Sequence, residues 1–330
     1  MAVSASHPRI GPSSRPAGVP SWKHVFVTGL VLWFASVLVT GLTGNLTMIP
    51  TVILLGSFLV PATAVVWYLD HYQSEELSPW RVMSAFLVGG TVGVLAASIL
   101  EAWLLSDGLL VYVGVGFLEE LAKLLALLLV ARGIARHTVR DGVVLGAAVG
   151  FGFAALESSG YAFGALLVRD GYTVRLSLGS LVFTEFLRGI LAPVGHGLWT
   201  GILGGVLFGA ARNGHLRFTP GVIAAYVGVS LLHGLWDSMH GIALLLTEII
   251  TLSQAQRVGM GGAVLLPPTE QQVQLFTTIE IAGLALLSLI GIIVLVRVWS
   301  RGGHPAADRA YVAVGHDHIH KTGAGHAGYS

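Results

Sequence analysis

The sequence predicts an all-α protein, a polytopic integral membrane bundle of about eight transmembrane helices. Three observations carry this. Hydrophobic residues make up 54% of the chain and charged ones only 11%, less than half the share of about 25% usual in a water-soluble domain. Apolar runs near the ~20 residues needed to cross a hydrocarbon core recur along the chain. Glycine, at 44 residues, is abundant in the manner of helices packed backbone to backbone in lipid.

The runs fall at 25–44, 48–69, 82–104, 109–131, 142–168, 178–211, 220–246 and 274–299. Residues 1–22, rich in Pro, Ser and Gly, are too polar to pack and are expected as a disordered cytoplasmic tail. The run after them is too long for a cleavable signal peptide, so the first helix is expected to be retained. The sixth run is overlong and contains Glu185, Arg188 and Pro193, which predicts a short interfacial helix turning through a proline kink into a spanning one. Gly142, Gly146 and Gly150 on helix five, and Gly197, Gly201, Gly205 and Gly209 on helix six, recur every four residues and predict close helix contacts. Residues 23–299 form the transmembrane domain, with its motifs concentrated in 109–240, and 300–330 form a second disordered cytoplasmic tail. The HDHIH tract there, with His316, His318 and His320, reads as an incidental polar segment.

Charge placement orients the bundle. With the N-terminus inside, cytoplasmic segments hold Arg9, Arg15, Lys23, Arg81, Arg132, Arg136, Arg140, Arg212, Arg217, Arg297, Arg301, Arg309 and Lys321, the large majority of the 18 Lys and Arg residues. Such an excess marks the inner face, so both termini are expected to be cytoplasmic. The net charge of +1, with no basic patch interleaved with aromatics, gives no sign of a nucleic-acid partner. The absence of cysteine removes disulfides, thiol nucleophiles and thiolate metal sites. Any metal would need His and carboxylate ligands.

Against this background a few ionisable groups stand inside the spans: Glu119, Glu120 and Lys123 on helix four, Glu157 on helix five, His196 on helix six, and His233 with Asp237 on helix seven. At a rise of ~1.5 Å per residue, Glu119, Glu157, His196 and His233 lie roughly 18–22 Å from the cytoplasmic ends of their helices. Each buried charge costs several kcal/mol unless paired, neutralised or wetted. One shared polar cavity relieves all of them together. Lys123 follows Glu119 by four residues and Glu120 by three, so it reaches either, and Asp237 follows His233 by four and can orient its imidazole. The two adjacent glutamates diverge by ~100° and cannot both face the cavity. Hydrolysis suits this set, with Glu119 or Glu120 taking a proton from water, His196 and His233 either binding zinc with a carboxylate or stabilising a tetrahedral intermediate, and Glu157 serving as a ligand or an orienting acid.

The plain structural alternatives are an ion pair of the glutamates with Lys123, an interhelical bond from Glu157, satisfied core histidines at positions 196 and 233, and a Glu185–Arg188 salt bridge one turn apart. His240 and Glu101 fall near the outer boundary and read as interfacial, wetted groups. The rival function from another class is a proton- or cation-coupled transporter using the same groups as a relay. A non-catalytic scaffold is the third.

In order along the chain, EELAK, FAALE, HGLWT and HGLWD resemble the motifs of the PrsW intramembrane proteases, a branch of the group containing the CAAX-processing and Abi membrane proteases. The resemblance covers roughly residues 109–240, including Arg188 upstream of His196. It implies an intramembrane endopeptidase of a bacterial plasma membrane, with site-1 type cleavage of a single-span membrane protein such as an anti-sigma factor. By motif, Glu119, Glu120 and His233 carry over as catalytic, Glu157 and His196 as their partners, and Lys123, Asp237 and Arg188 as supporting. The family is usually counted among metalloproteases, whereas related CAAX enzymes are argued to use a glutamate without metal.

Overall fold

A computed structural model describes residues 21–72, 74–108, 110–170, 173–251 and 267–302. The chain is a helical bundle: α1 (Trp22–Thr43), α2 (Ile49–His71), α3 (Pro79–Val88), α4 (Val94–Leu104), α5 (Val111–Val130), α6 (Val139–Leu166), α7 (Leu178–Leu191), α8 (His196–Gly209), α9 (Pro220–Thr251) and α10 (Glu270–Arg301). Among the described residues, seven segments are long and apolar enough to span a membrane, α3 with α4 and α7 with α8 each counting as one. The eighth element is α5, whose 20 residues give about 30 Å of helix. Its three ionisable groups set it apart in composition. The expected tail at 1–22 lies outside the described residues except for Ser21 and Trp22, which begin α1, and the expected tail at 300–330, with His316, His318 and His320, lies outside them from residue 303 onward.

Consecutive spans run antiparallel. The turns at 72–78, 131–138 and 210–219 therefore share one end of the bundle, here the proximal end, and those at 44–48, 105–110 and 167–177 share the distal end.

The structure departs from the sequence reading in three places. The third span is not one regular helix, because α3 and α4 meet through a π-helical turn at Gly89–Gly93. A short antiparallel hairpin, β1 (Leu167–Asp170) with β2 (Thr173–Leu176), fills the distal turn between α6 and α7, so the fold is all-α only in its membrane part. The glycine ladders also mesh differently from their spacing. A Cβ on Gly142, Gly146 or Gly150 would strike the carbonyl oxygens of Gly204, Thr200 and His196, so the 196–200–204 row of α8 makes the closest approach. The predicted break in the sixth span is present: a 3-10 turn at Ala192–Val194, containing Pro193, separates α7 from α8.

The core gathers on α6. Thr138 caps this helix, accepting a hydrogen bond from the Asp141 N–H at 3.1 Å, and Asp141 sits in the first turn, where the helix dipole favours negative charge. Every residue from Asp141 to Ala155 is buried, so no face of this half meets lipid. Around it Phe86, Leu127, Leu145, Trp199, Leu203 and Phe208 form the main apolar cluster. A smaller cluster at the distal end joins Ile49, Val52, Ile53, Ala162, Leu166 and Leu181. Helices α1 and α10 stand at the rim, their apolar faces left for lipid.

Candidate active site

The intramembrane polar residues meet where α5, α6, α8 and α9 converge. Counted along each helix from its proximal end, Glu119 lies ~17 Å in, His196 and His233 ~20 Å, and Glu157 ~27 Å. The extra depth of Glu157 is recovered by side-chain direction. Helical side chains lean toward their own N-terminus, and α6 and α8 are antiparallel, so Glu157 and His196 lean toward each other. His196 Nε2 lies 2.9 Å from Glu157 Oε2.

Two close helix approaches fix the remaining pair. A Cβ on Gly116 would come within 2.6 Å of Gly234 N, and one on Gly234 within 2.8 Å of Val113 Cα, so α5 and α9 touch along their backbones beside Glu119 and His233. The Tyr226 hydroxyl donates to the Phe117 carbonyl at 2.8 Å and ties the same two helices.

At the centre is Lys123, fully buried. Its ammonium donates to Glu119 Oε2 at 3.1 Å, Glu120 Oε1 at 3.0 Å and His196 Nδ1 at 2.8 Å, and it lies 4.0 Å from the centroid of the Phe153 ring. An ammonium has only protons to give, so His196 Nδ1 is the acceptor and the ring proton sits on Nε2, facing Glu157. Glu157 is held in turn by Arg188, whose guanidinium donates to it and, through Nε, to Ser158 Oγ at 2.7 Å. Arg188 therefore reaches across to α6, not to Glu185 on its own helix. Glu185 instead accepts from Trp33 Nε1 at 2.8 Å, against α1.

The adjacent glutamates separate as their angular offset requires. Glu120 is fully buried, accepts from Thr200 Oγ1 at 3.2 Å, and lies 3.1 Å from His233 Nδ1. Glu119 lines a cleft of about 350 Å³ together with Glu101, Glu157 and Asp237, and Glu120 does not. The cleft runs from mid-depth toward Tyr112 and Tyr161 near the distal end.

Each imidazole is thus backed by a carboxylate, His196 by Glu157 and His233 by Glu120. Their other nitrogens turn toward Glu119 Oε2, His196 Nδ1 at 3.8 Å and His233 Nε2 at 3.5 Å. Donor atoms of Glu119, His196 and His233 all lie within 4.8 Å of one another. Two imidazoles and a carboxylate form a donor set suited to zinc, and carboxylate backing of ligating imidazoles is the usual supporting pattern. His233 Nε2 is buried, makes no hydrogen bond among the described residues and faces the Glu119 and Asp237 carboxylates at 3.5 and 3.4 Å, so this nitrogen is the one open to a ligand. The carboxylate that joins the two histidines here is Glu119, and Glu157, which the sequence offered as a ligand or an orienting acid, stands behind His196.

Asp237 Oδ2 lies 3.4 Å from His233 Nε2, on the cleft side. His240 is exposed and pairs with Glu280 at 3.0 Å, away from the site, as an interfacial group would. Sequence reasoning missed Thr200, Ser158, Tyr161 and Phe153. Thr200 was within reach, since it follows His196 by four residues and so shares its face. The other three depend on how neighbouring helices rotate.

A buried Glu/His centre at the end of a polar cleft, inside a bundle of membrane-length helices, defines a membrane-embedded hydrolase. The model of the PrsW-protease family, described as PrsW family intramembrane metalloprotease, matches residues 78–264. That span is more than half of the chain and contains every residue of the centre, so the chain belongs to this family and is an intramembrane endopeptidase. No curated protein and no solved structure matches it. Of the functions open to the sequence, transport and scaffolding give way to proteolysis.

Proposed function

We propose that the enzyme cuts a single-span membrane protein, of the anti-sigma-factor type and in a site-1 mode, at a peptide bond brought to Glu119, His196 and His233. The convergence of one cleft-lining carboxylate with two carboxylate-backed imidazoles carries this reading. The excess of Lys and Arg in the proximal turns supports a bacterial plasma membrane protein with both termini in the cytoplasm.

Glu119, His196 and His233 would hold a zinc ion once the Lys123 ammonium gave up its hydrogen bond to His196 Nδ1 and freed that lone pair; when bound, the ion would supply a water of lowered pKa and polarise the scissile carbonyl. The chain's own residues do the rest. Glu120 and Glu157 fix the two rings by taking the nitrogens that face away from the centre. Lys123 balances the charge of the adjacent glutamates, whose burial without a counter-charge is prohibitive. Asp237, on the cleft wall beside His233 Nε2, receives the proton released from the attacking water and returns it to the leaving amine. The substrate helix must unwind to present its carbonyl, because a hydrogen-bonded helical backbone is protected from attack.

The test is cleavage of candidate single-span substrates by purified protein in lipid. Glu119→Gln and His233→Ala are expected to stop cleavage, and dialysis against a chelator to stop it reversibly, with zinc restoring it. Cleavage surviving in both variants would remove the reaction from this centre. Full activity in chelated protein of measured zero metal content would leave the residues in place and remove the zinc.

A further inference from the structure

The cleft carries more acid than its chemistry uses. Five carboxyl groups, Glu101, Glu119, Glu120, Glu157 and Asp237, line it or adjoin it. Two permanent cations answer them, Lys123 engaged by Glu119 and Glu120 and Arg188 by Glu157, and the imidazoles of His196 and His233 face Glu119, Glu120, Glu157 and Asp237; Glu101 has none of these partners. Glu101, on α4 three residues before its distal end, faces the same cleft from the far wall. Its Oε1 is buried and has no hydrogen-bond partner among the described residues. An acceptor shut away from water without a donor is costly, and more so inside a bilayer. The rest of the Glu101 side chain is only partly buried, and it lines the cleft beside the small residues Ala97 and Ser98.

We propose that Glu101, backed by Asp237 across the cleft, forms a subsite for a lysine or arginine side chain of the substrate, on the distal side of the scissile bond. This rests on the proteolytic role proposed for Glu119, His196 and His233. A cation is favoured over a neutral donor because the group left without a partner at this space, Glu101, is an acid, and Asp237 across the cleft is another. Its distance from the cut follows from the helix. Tyr112, which shares the distal part of the cleft, precedes Glu119 by two turns, about 10 Å. An extended substrate covers that in about three residues at ~3.3 Å each. The selected residue therefore stands two to four positions from the cleaved bond.

The experiment uses the full chain in lipid nanodiscs and fluorescein-labelled single-span peptides. The peptides are identical except for Lys, Gln or Glu, scanned over two to four residues from the bond cut, or from the centre of a helix-breaking segment where none is cut. Binding is read by anisotropy on Glu119→Gln protein, and cleavage on the unsubstituted enzyme. At one of the scanned positions Lys is expected to bind ~10-fold more tightly than Gln, with Glu weakest. Adding Glu101→Gln should shrink the Lys preference below about 2-fold, and Glu101→Lys should reverse the order. Equal binding of the three peptides at every position overturns the subsite, as does a Lys preference that persists in Glu101→Gln. The two readings fail separately: a Glu101-dependent preference with no peptide cut keeps the subsite and removes the protease centre, whereas cleavage indifferent to the scanned charge does the reverse.

Discussion

The two halves of α6 are built in opposite ways. From Asp141 to Ala155 the helix is buried on every side, and its glycines let the backbones of α8 and of the α3–α4 π-turn lie directly against it. From Leu156 to Leu166 exposed positions return, the neighbouring helices draw apart, and the cleft opens between α4, α5, α6 and α9. Glu157 stands two residues past the change. Catalysis in a membrane needs both conditions, since buried charges must be held in fixed geometry while water and a substrate backbone must reach them. The closed half supplies the first and the open half the second.

The largest expected effect lies at the boundary itself. Glu119→Gln keeps the shape of the side chain but removes the negative charge that Lys123 and the two imidazoles surround. A loss of activity on the order of 10³-fold is expected, measured as kcat/KM on a fluorogenic single-span substrate. Glu120→Gln, one residue away and out of the cleft, should disturb folding as much as rate, because it strips Lys123 of its second carboxylate in a fully buried place. If the two variants had the same rate loss and the same thermal stability, the division of labour between the adjacent acids would be wrong.

The closed half is probed by adding one methyl group. Gly146→Ala would drive a Cβ into the Thr200 carbonyl oxygen of α8, a backbone atom with nowhere to go. Overpacking of this kind costs about 1–3 kcal/mol, more than the ~0.5–1 kcal/mol that alanine gains over glycine in a helix. The midpoint of thermal unfolding in detergent should fall by several degrees. Because Thr200 and His196 share that row of α8, activity should fall further than stability alone accounts for.

In the open half, Arg188→Ala should cost 10- to 100-fold in rate, the range seen when a group supporting a ligating residue is lost. The guanidinium acts through Glu157 on His196 Nε2, so the lost contact lets the Glu157 carboxylate swing away from the ring and loosens its orientation. Arg188→Lys keeps the charge but cannot span Glu157 and Ser158 at once with a planar fork. It should recover only part of the loss, and full recovery would show that charge alone matters there.

Much of this division was legible in the sequence. Spans of suitable length, the proline break before His196 and the polar residues at one depth all follow from periodicity and composition, because a bilayer leaves few other arrangements. Which of Glu119 and Glu120 faces the cleft was not legible. Their ~100° offset says that they differ, but the choice depends on the rotation of α5, which Gly116 and Gly234 set by contact with another helix. The partner of Arg188 was not legible for a related reason. Glu185 lies one turn before it in sequence, but α7 turns that residue toward Trp33 and Arg188 toward α6. The π-turn at Gly89–Gly93 leaves no mark in hydrophobic periodicity, since the run stays apolar throughout.

The smallest effect separates the halves most cleanly, because it repeats the same substitution on the same helix. Gly160 and Gly164 continue on α6 beyond the glycines that touch α8, yet a Cβ at either meets nothing within 4 Å. Nothing opposes the helical preference for alanine there, so Gly160→Ala and Gly164→Ala should each raise stability by a few tenths of a kcal/mol up to ~1 kcal/mol. The shift should appear as a small rise in the unfolding midpoint under the conditions that lower it for Gly146→Ala. Glycine spacing in the sequence cannot forecast this change of sign, because it depends on whether a neighbouring helix lies against that face of α6. If Gly160→Ala destabilised the protein as Gly146→Ala does, a neighbour would lie as close to this face of α6 at the distal end as α8 does at the proximal one, and the contrast between the two halves would fail.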